Sequence, residues 1–403
     1  MKRERKFSLF SDSFFRTPHF VKSLINSFKD SKERGEVVAN YPIYEFSTGD
    51  LKRAGKMLAQ DIPYDADELE EVIRVFKIAY NWRDSHAYPM HRVRHELMGN
   101  IRKDKKVGIT SARMKRMKSI RRKLSGSTTK LHQMQDLCGC RAIMSTLDEM
   151  KTLVAMYYNG GTAHSVQWSK DYVEAPKTSG YRGHHLIIEF QAKPHEVQYD
   201  KRRVEIQIRT KLQHAWSTAI EAVGMVRKEE LKSGEGCPRW LRLFALMSSE
   251  FADEEDCPIV PDTPVEARLR RAELIALSKE LDAVKFLETL NQAVKYTESY
   301  VGKHSNYFLI QYDSVNKDIR VRGYSRVGSA ADAYSGEERR HSGVNSVLVE
   351  VDKAENLREA YPNYFLDVQM FTDRLKDIVF ANVQSGQNAK RSFDLSWLKY
   401  FNR

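Results

Sequence analysis

Four cysteines in 403 residues (Cys138, Cys140, Cys237 and Cys257) are too few and too irregularly spaced for a secreted disulfide framework. They do not form a zinc motif either, since Cys138 and Cys140 stand one residue apart and the other two are scattered. They read as packing residues in a reducing cytoplasm. No apolar run approaches bilayer length. Residues 7–20, behind the charged start Met1-Lys-Arg-Glu-Arg-Lys6, are broken by Ser11, Asp12, Ser13, Arg16 and Pro18, so neither a membrane span nor a signal-peptide core is expected.

With 41% hydrophobic and 30% charged residues, the composition is that of a globular protein rather than a disordered one. The length calls for two or three domains. A formal net charge of +12 favours phosphate-bearing partners, nucleotide or RNA, although a basic surface also serves solubility.

Apolar residues recur at three- and four-residue steps over 20–34 and 67–80 (Leu69, Val72, Phe76, Ala79), which predicts a helical front end, and the pattern is read as continuing over 91–124. Strands are expected at 141–145, 186–190 and 204–209, with helices at 148–158 and 211–226. This mixture predicts an α/β (α+β) fold, a mixed sheet flanked by helices. An acidic, proline-rich stretch at 253–264 marks a boundary. Beyond it the sequence predicts a long helix over 265–301, a hairpin of 307–312 and 319–324, a polar loop, a strand at 346–351 and helix again from about 367. The expected division is 1–108 helical, 109–260 the mixed-sheet core, and 265–403 a small β-containing module closed by helices.

Three segments carry candidate chemistry. In Val204-Glu-Ile-Gln-Ile-Arg209, strict alternation puts Val204, Ile206 and Ile208 on one face and Glu205, Gln207 and Arg209 on the other, a site or an ordinary solvent-facing strand. Lys115, Ser119 and Lys123 stack at helical spacing on one stripe, where an anion would join the two like charges; a triphosphate or an RNA backbone would serve. The segment 171–181 combines Pro176, Lys177, Gly180 and Tyr181, the character of a binding loop or of a surface turn.

In this order the segments resemble the synthetase domain of the RelA/SpoT family over about 109–226. Arg113-x-Lys115-x-x-x-Ser119-x-x-x-Lys123 resembles its basic ATP-binding helix, and Asp136-Leu-Cys-Gly-Cys-Arg141 its Asp-x-x-Gly-x-Arg segment. Asp171-Tyr172 through Lys177 and Tyr181 to His185 resembles its acceptor loop, and Glu205-Ile-Gln-Ile-Arg-Thr210 its catalytic strand. The resemblance implies ATP as pyrophosphate donor, with Arg113 and Arg141 on the adenine and Lys115, Ser119 and Lys123 on the phosphates. It implies Mg2+ on Asp136 and Glu205, Glu205 activating the attacking 3′-hydroxyl, and Lys177, Tyr181, His185 and Gln207 facing the acceptor. Gly183 stands where the family commonly has Ser, and helix 211–226 lacks the usual Glu-His pair, which bears on acceptor choice. No His-Asp dipeptide occurs, so the metal-dependent hydrolase half of longer members is not expected.

The region after Pro264 is similar to the antitoxin-like domain of fused toxic synthetases of the CapRel type, which senses a phage protein. Tyr361-Pro-Asn-Tyr364 is the matching feature: Tyr361 and Tyr364 would cover the adenine pocket, or simply pack a turn. Three readings follow: a pyrophosphokinase acting on the tRNA 3′ end with Arg121 and Arg122 as a tRNA patch, a guanosine penta- or tetraphosphate synthetase, and a non-catalytic RNA-binding protein.

Overall fold

The computed structural model describes residues 41–60, 62, 69–103, 107–292, 295–299, 305–313, 318–339, 344–351, 360–362 and 368–387. Three helices come first, α1 (Thr48–Leu58), α2 (Leu69–Asp84) and α3 (Ala87–Lys103). Next are β1 (Gly108–Met114), α4 (Met117–Gly126), β2 (Cys138–Met144), α5 (Leu147–Tyr158), β3 (Ser165–Asp171), β4 (His184–Glu189) and β5 (Arg203–Thr210). The helices α6 (Lys211–Arg227), α7 (Pro238–Glu254), α8 (Ala267–Glu280) and α9 (Ala283–Gln292) lead to β6 (Lys295–Ser299), β7 (Tyr307–Asp313) and β8 (Asp318–Tyr324). The chain closes with α10 (Val327–Arg339), β9 (Val344–Val351) and α11 (Gln369–Gln387).

The strands form one nine-stranded sheet in the order β3-β4-β5-β2-β1-β9-β7-β8-β6, with β2/β5 and β6/β8 parallel and the remaining pairs antiparallel. The expected class, a mixed sheet flanked by helices, is what is found. The C-terminal strands continue the same sheet: β9 joins β1 through Ser111↔Val351, Ala112↔Glu350 and Arg113↔Val349.

Period-two alternation gives the two faces separate tasks. Val204, Ile206 and Ile208 are fully buried with Leu186, Ala142 and Ala112 against Val93 and Leu97 of α3 and Leu153 of α5. Burial of each such side chain is worth about 1.5–3 kcal/mol, which fixes the register and presents the polar alternates on the opposite side. There a second core runs from Trp216 and Phe244 through Val349 and Val351 to Phe371 and Leu375. It contains residues from both sides of 253–264, and the buried Arg270 of α8 donates to Glu250 of α7 at 2.8 Å across that connection.

Three expectations differ from the structure. The helical run over 91–124 is interrupted by β1, whose sequence Gly-Ile-Thr-Ser-Ala-Arg-Met carries the β-branched Ile109 and Thr110 and whose backbone is satisfied on both edges, by β2 and β9. Arg113 therefore lies on a strand, Lys115 follows it, and only Ser119 and Lys123 sit on α4. The single helix over 265–301 is two helices and a strand, broken where Asp282 takes φ +46°. The polar loop after 324 contains α10, whose Val327, Ala330 and Tyr334 form a buried stripe at helical spacing among Gly and Ser. Helix α1, strand β3 and helix α7 were not assigned from sequence. The expected helix at 20–34 lies outside the described residues.

Candidate active site

Strand register assembles the polar face. Across β4, β5, β2 and β1 one rung reads His185, Gln207, Arg141, Ser111; the rung two residues along reads Ile187, Glu205, Gly139, Arg113. Glu205, Gln207, His185, Arg141 and Arg113 thus share the side covered by α6, α7 and α11, and Gly139 puts no side chain between Glu205 and Arg113. Strand β5 ends at Thr210, whose Oγ1 accepts from Gln213 N at 3.2 Å while its own N donates to Gln213 Oε1 at 3.3 Å. This reciprocal cap starts α6 immediately after Arg209.

Glu205 belongs to a closed ring of hydrogen bonds. Gln207 Nε2 donates to Glu205 Oε2 at 2.8 Å, and Arg209 Nη2 donates both to Gln207 Oε1 and to the Tyr181 hydroxyl, each at 2.8 Å. Tyr181 Oη lies 2.5 Å from His185 Nε2, and His185 Nδ1 lies 2.9 Å from Glu205 Oε1. With His185 neutral, every contact of the ring is satisfied by one arrangement: the tyrosine hydroxyl accepts from Arg209 and donates to Nε2, and His185 donates through Nδ1 to the carboxylate. Burial lowers the His185 pKa, in keeping with a neutral ring. At Glu205 burial pushes the pKa up, but His185, Gln207 and nearby Lys115 outweigh it and hold the carboxyl at about 2.

Lys115 and Lys123 converge on Asp136, each Nζ 2.9 Å from Oδ2. The other oxygen, Oδ1, is buried with no hydrogen-bond partner among the described residues, as are Arg141 Nε and Arg209 Nε. Orphaned polar atoms of both signs beside a cation cluster suit a ligand that brings a metal and phosphates together. Asp136 offers its orphaned Oδ1 to an oxygen-seeking ion such as Mg2+, which usually takes one or two protein carboxylates, and Glu205 would join it by exchanging its contact with His185 or Gln207.

Arg141 is occupied from the C-terminal region. Arg141 Nη1 donates to Ala360 O at 3.1 Å, and its guanidinium lies 5.5 Å from the centre of the buried Tyr361 ring. Burial and the neighbouring Arg209 and Arg113 lower the Arg141 pKa to about 10, partly offset by Tyr361 and Glu221. Two residues that sequence reasoning missed complete the cluster. Glu221 of α6 is ion-paired to Lys232, which follows in the 3-10 turn Leu231–Ser233. Burial opposes ionisation of Glu221, but Lys232, Arg113 and Arg141 drive its pKa well below the usual range. Lys232 is lowered to about 8, by burial first and then by Arg209 and Arg141, against the pull of Glu221. Placing them required knowing that α6 packs over β2 and β5.

In the loop 171–181 Lys177 lies 4.7 Å from the Tyr172 ring centre and 5.3 Å from that of Tyr181. Tyr181 is only 5% exposed, edge-on to Tyr172, His185 and Trp216. Ser119 is half-buried. Arg121 is half-buried, and Arg122 is exposed and ion-paired with Glu230. Tyr364 lies outside the described residues. No described helix is long and apolar enough to cross a membrane.

Residues 112–229 match the family model described as the region found in RelA / SpoT proteins. The chain is 26% identical to GTP pyrophosphokinase YjbM of Bacillus subtilis (strain 168) over 201 residues, 48% of this chain and 82% of that protein. It is 34% identical to GTP pyrophosphokinase YwaC of the same organism over 116 residues, 27% of this chain and 54% of that protein. Similar solved structures include small alarmone synthetase 1 from Bacillus subtilis bound to its product pppGpp (23% identity, TM-score 0.36, 47% of this chain and 94% of that one). Another is a GTP pyrophosphokinase family protein from Streptococcus pneumoniae (20% identity, TM-score 0.37, 48% and 95%).

Proposed function

We propose that this chain, which carries a RelA/SpoT-type synthetase domain at 112–229, transfers pyrophosphate from ATP to the 3′-hydroxyl at the end of tRNA. The observation that carries the transfer reading is the register that sets the Glu205 carboxylate on one sheet face with Arg113 and Arg141, beside Lys115 and Lys123 converging on Asp136. In this reaction the 3′-oxygen forms a bond to the β-phosphorus, the bond from that phosphorus to the oxygen bridging the α-phosphorus breaks, and AMP leaves. Such transfers depend chiefly on positioning and charge stabilisation. Mg2+ on Asp136 and Glu205 would neutralise the phosphate charge. With its pKa held at about 2, Glu205 accepts a hydrogen bond from the 3′-hydroxyl and orients it, taking the proton late in a loose transition state. Lys115, Ser119 and Lys123 bind phosphates, Arg113 and Arg141 flank the adenine, and Lys177, Tyr181, His185 and Gln207 line the acceptor side.

The tRNA acceptor is favoured by the net charge of +12 and by the basic run of α4, where half-buried Arg121 and exposed Arg122 form the proposed patch and RNA would compete with Glu230 for Arg122. Aminoacylation, and with it translation, would then be blocked in the cytoplasm. The contact of Tyr361 and Ala360 O with Arg141 supports autoinhibition by the C-terminal region, relieved when a phage protein binds there as part of antiviral defence. A second reading, synthesis of guanosine penta- or tetraphosphate, is favoured by the relatives named GTP pyrophosphokinases. Transfer of label from ATP carrying radioactive γ-phosphate, with Mg2+ and with GDP, GTP or deacylated tRNA in parallel, separates them. Label on tRNA is expected. Label only on guanine nucleotides selects the second reading, and label on neither, with or without phage lysate, removes both.

A further inference from the structure

On the sheet face away from the catalytic residues, two histidines of α3 meet a carboxylate of β9. His91 and His95 are four residues apart, so they project from one side of the helix, and their ring centres lie 4.3 Å apart. Glu350 is 1% exposed, and one donor atom from each of His91, His95 and Glu350 lies within 4.8 Å of the other two. Among the described residues this is the one group of three or more His, Cys, Asp or Glu side chains gathered so closely.

We propose that His91, His95 and Glu350 bind a divalent transition-metal ion of zinc-like character, and that this ion latches the C-terminal strand β9 onto α3. Two imidazoles and one carboxylate are the donor set of a zinc site with an open fourth position, and two His four apart on one helix face are a recurrent way to present it. Nitrogen donors select against Mg2+ and Ca2+, so the ion differs in kind from any metal on Asp136 and Glu205. The surroundings suit a ligating carboxylate. Arg94 Nη2 donates to Glu350 Oε1 at 3.0 Å and fixes it, while Oε2 is buried with no hydrogen-bond partner among the described residues. His91 Nδ1 now lies 2.7 Å from Oε1. Bonds of about 2.0–2.1 Å in tetrahedral geometry put donor atoms about 3.4 Å apart, so metal entry needs this pair to open by about 0.7 Å and donors now up to 4.8 Å apart to close by up to about 1.4 Å, within side-chain motion.

The location gives the latch a consequence. Glu350 pairs with Ala112 in the rung next to Arg113↔Val349, so an ion holding Glu350 holds β9 against the strand that carries Arg113. Removing it would loosen the seam between the C-terminal strands and β1 without touching a catalytic residue.

The test uses the full chain, stripped with a chelator and titrated with Co2+, then with Zn2+ in competition. One Co2+ per chain with ligand-field absorption is expected, displaced by Zn2+ and not by millimolar Mg2+. His95→Ala, at an exposed position that leaves the buried Arg94–Glu350 pair intact, should weaken binding about 100-fold or more, since loss of a supporting contact alone costs 10–100-fold. Hydrogen exchange at 344–351 should slow on adding Zn2+ to the wild type and not to His95→Ala; His95→Gln provides a second variant of closer size. Absence of stoichiometric Co2+ binding, thiolate-to-cobalt absorption from the cysteines, or equal affinity in wild type and variants overturns the proposal.

Discussion

Replacing Tyr361 with Ala should make the protein bind ATP more tightly. The ring lies over the Arg141 guanidinium at 5.5 Å, a cation–π contact worth about 0.5–2 kcal/mol. If ATP must displace it, the free arginine gains that amount toward the nucleotide, about 2- to 30-fold in affinity. The substitution also removes a fully buried aromatic from the core shared with Phe371 and Leu375, a loss of about 3–5 kcal/mol that loosens the C-terminal segment in the same direction. Calorimetric titration with an ATP analogue carrying a methylene between the α- and β-phosphates measures affinity without turnover. Thermal melts, run in parallel, report the packing loss. Tyr361→Trp, which keeps an aromatic face, should remain near wild-type affinity. A lowered melting temperature with unchanged nucleotide affinity in Tyr361→Ala would refute the blocking role and leave Tyr361 as a core residue.

Glu205→Gln should reduce transfer by at least about 100-fold, the scale of a lost catalytic electrostatic group, with a near-native circular dichroism spectrum; retained turnover removes Glu205 from the chemistry. Arg121→Glu with Arg122→Glu should impair use of tRNA far more than use of GDP, and equal losses with both acceptors would count against a tRNA patch. Lys232 has a folded pKa of about 8, below its ordinary 10.5, so the unfolded chain holds the extra proton between these values and this group's contribution makes stability rise with pH across that window. The site loses positive charge over the same interval, so ATP affinity should fall above about pH 8, and Lys232→Arg should flatten that fall; an unchanged profile in the variant assigns the titration elsewhere.

The polar face of β5 was legible because both of its faces follow strict alternation, and hydrophobic burial of Val204, Ile206 and Ile208 leaves no other orientation for Glu205 and Gln207. Strand β1 was not, since its seven residues lie between two basic helical stretches, lack a clear apolar alternation, and pair with β9, which lies far along the chain. The five-residue ring through Tyr181, His185, Glu205, Gln207 and Arg209 depends on the pairing His185↔Gln207, which no local pattern encodes. Lys232 and Glu221 escaped notice for a similar reason, as an isolated basic residue in a short turn carries no periodic signal. The Tyr361 motif was visible in the sequence, but its contact with Arg141 emerges only from three-dimensional packing.

The three-rung junction between β1 and β9 also governs how the protein can be dissected. A chain ended near Pro264 would lack every strand from β6 onward and leave β1 with a bare row of amide and carbonyl groups, flanked by Val349's former packing partners. Exposed edges of this kind recruit other strands. A shortened enzyme would therefore tend to self-associate through β1, and an inhibitory role for the C-terminal region is better probed by opening the seam with single substitutions than by amputation.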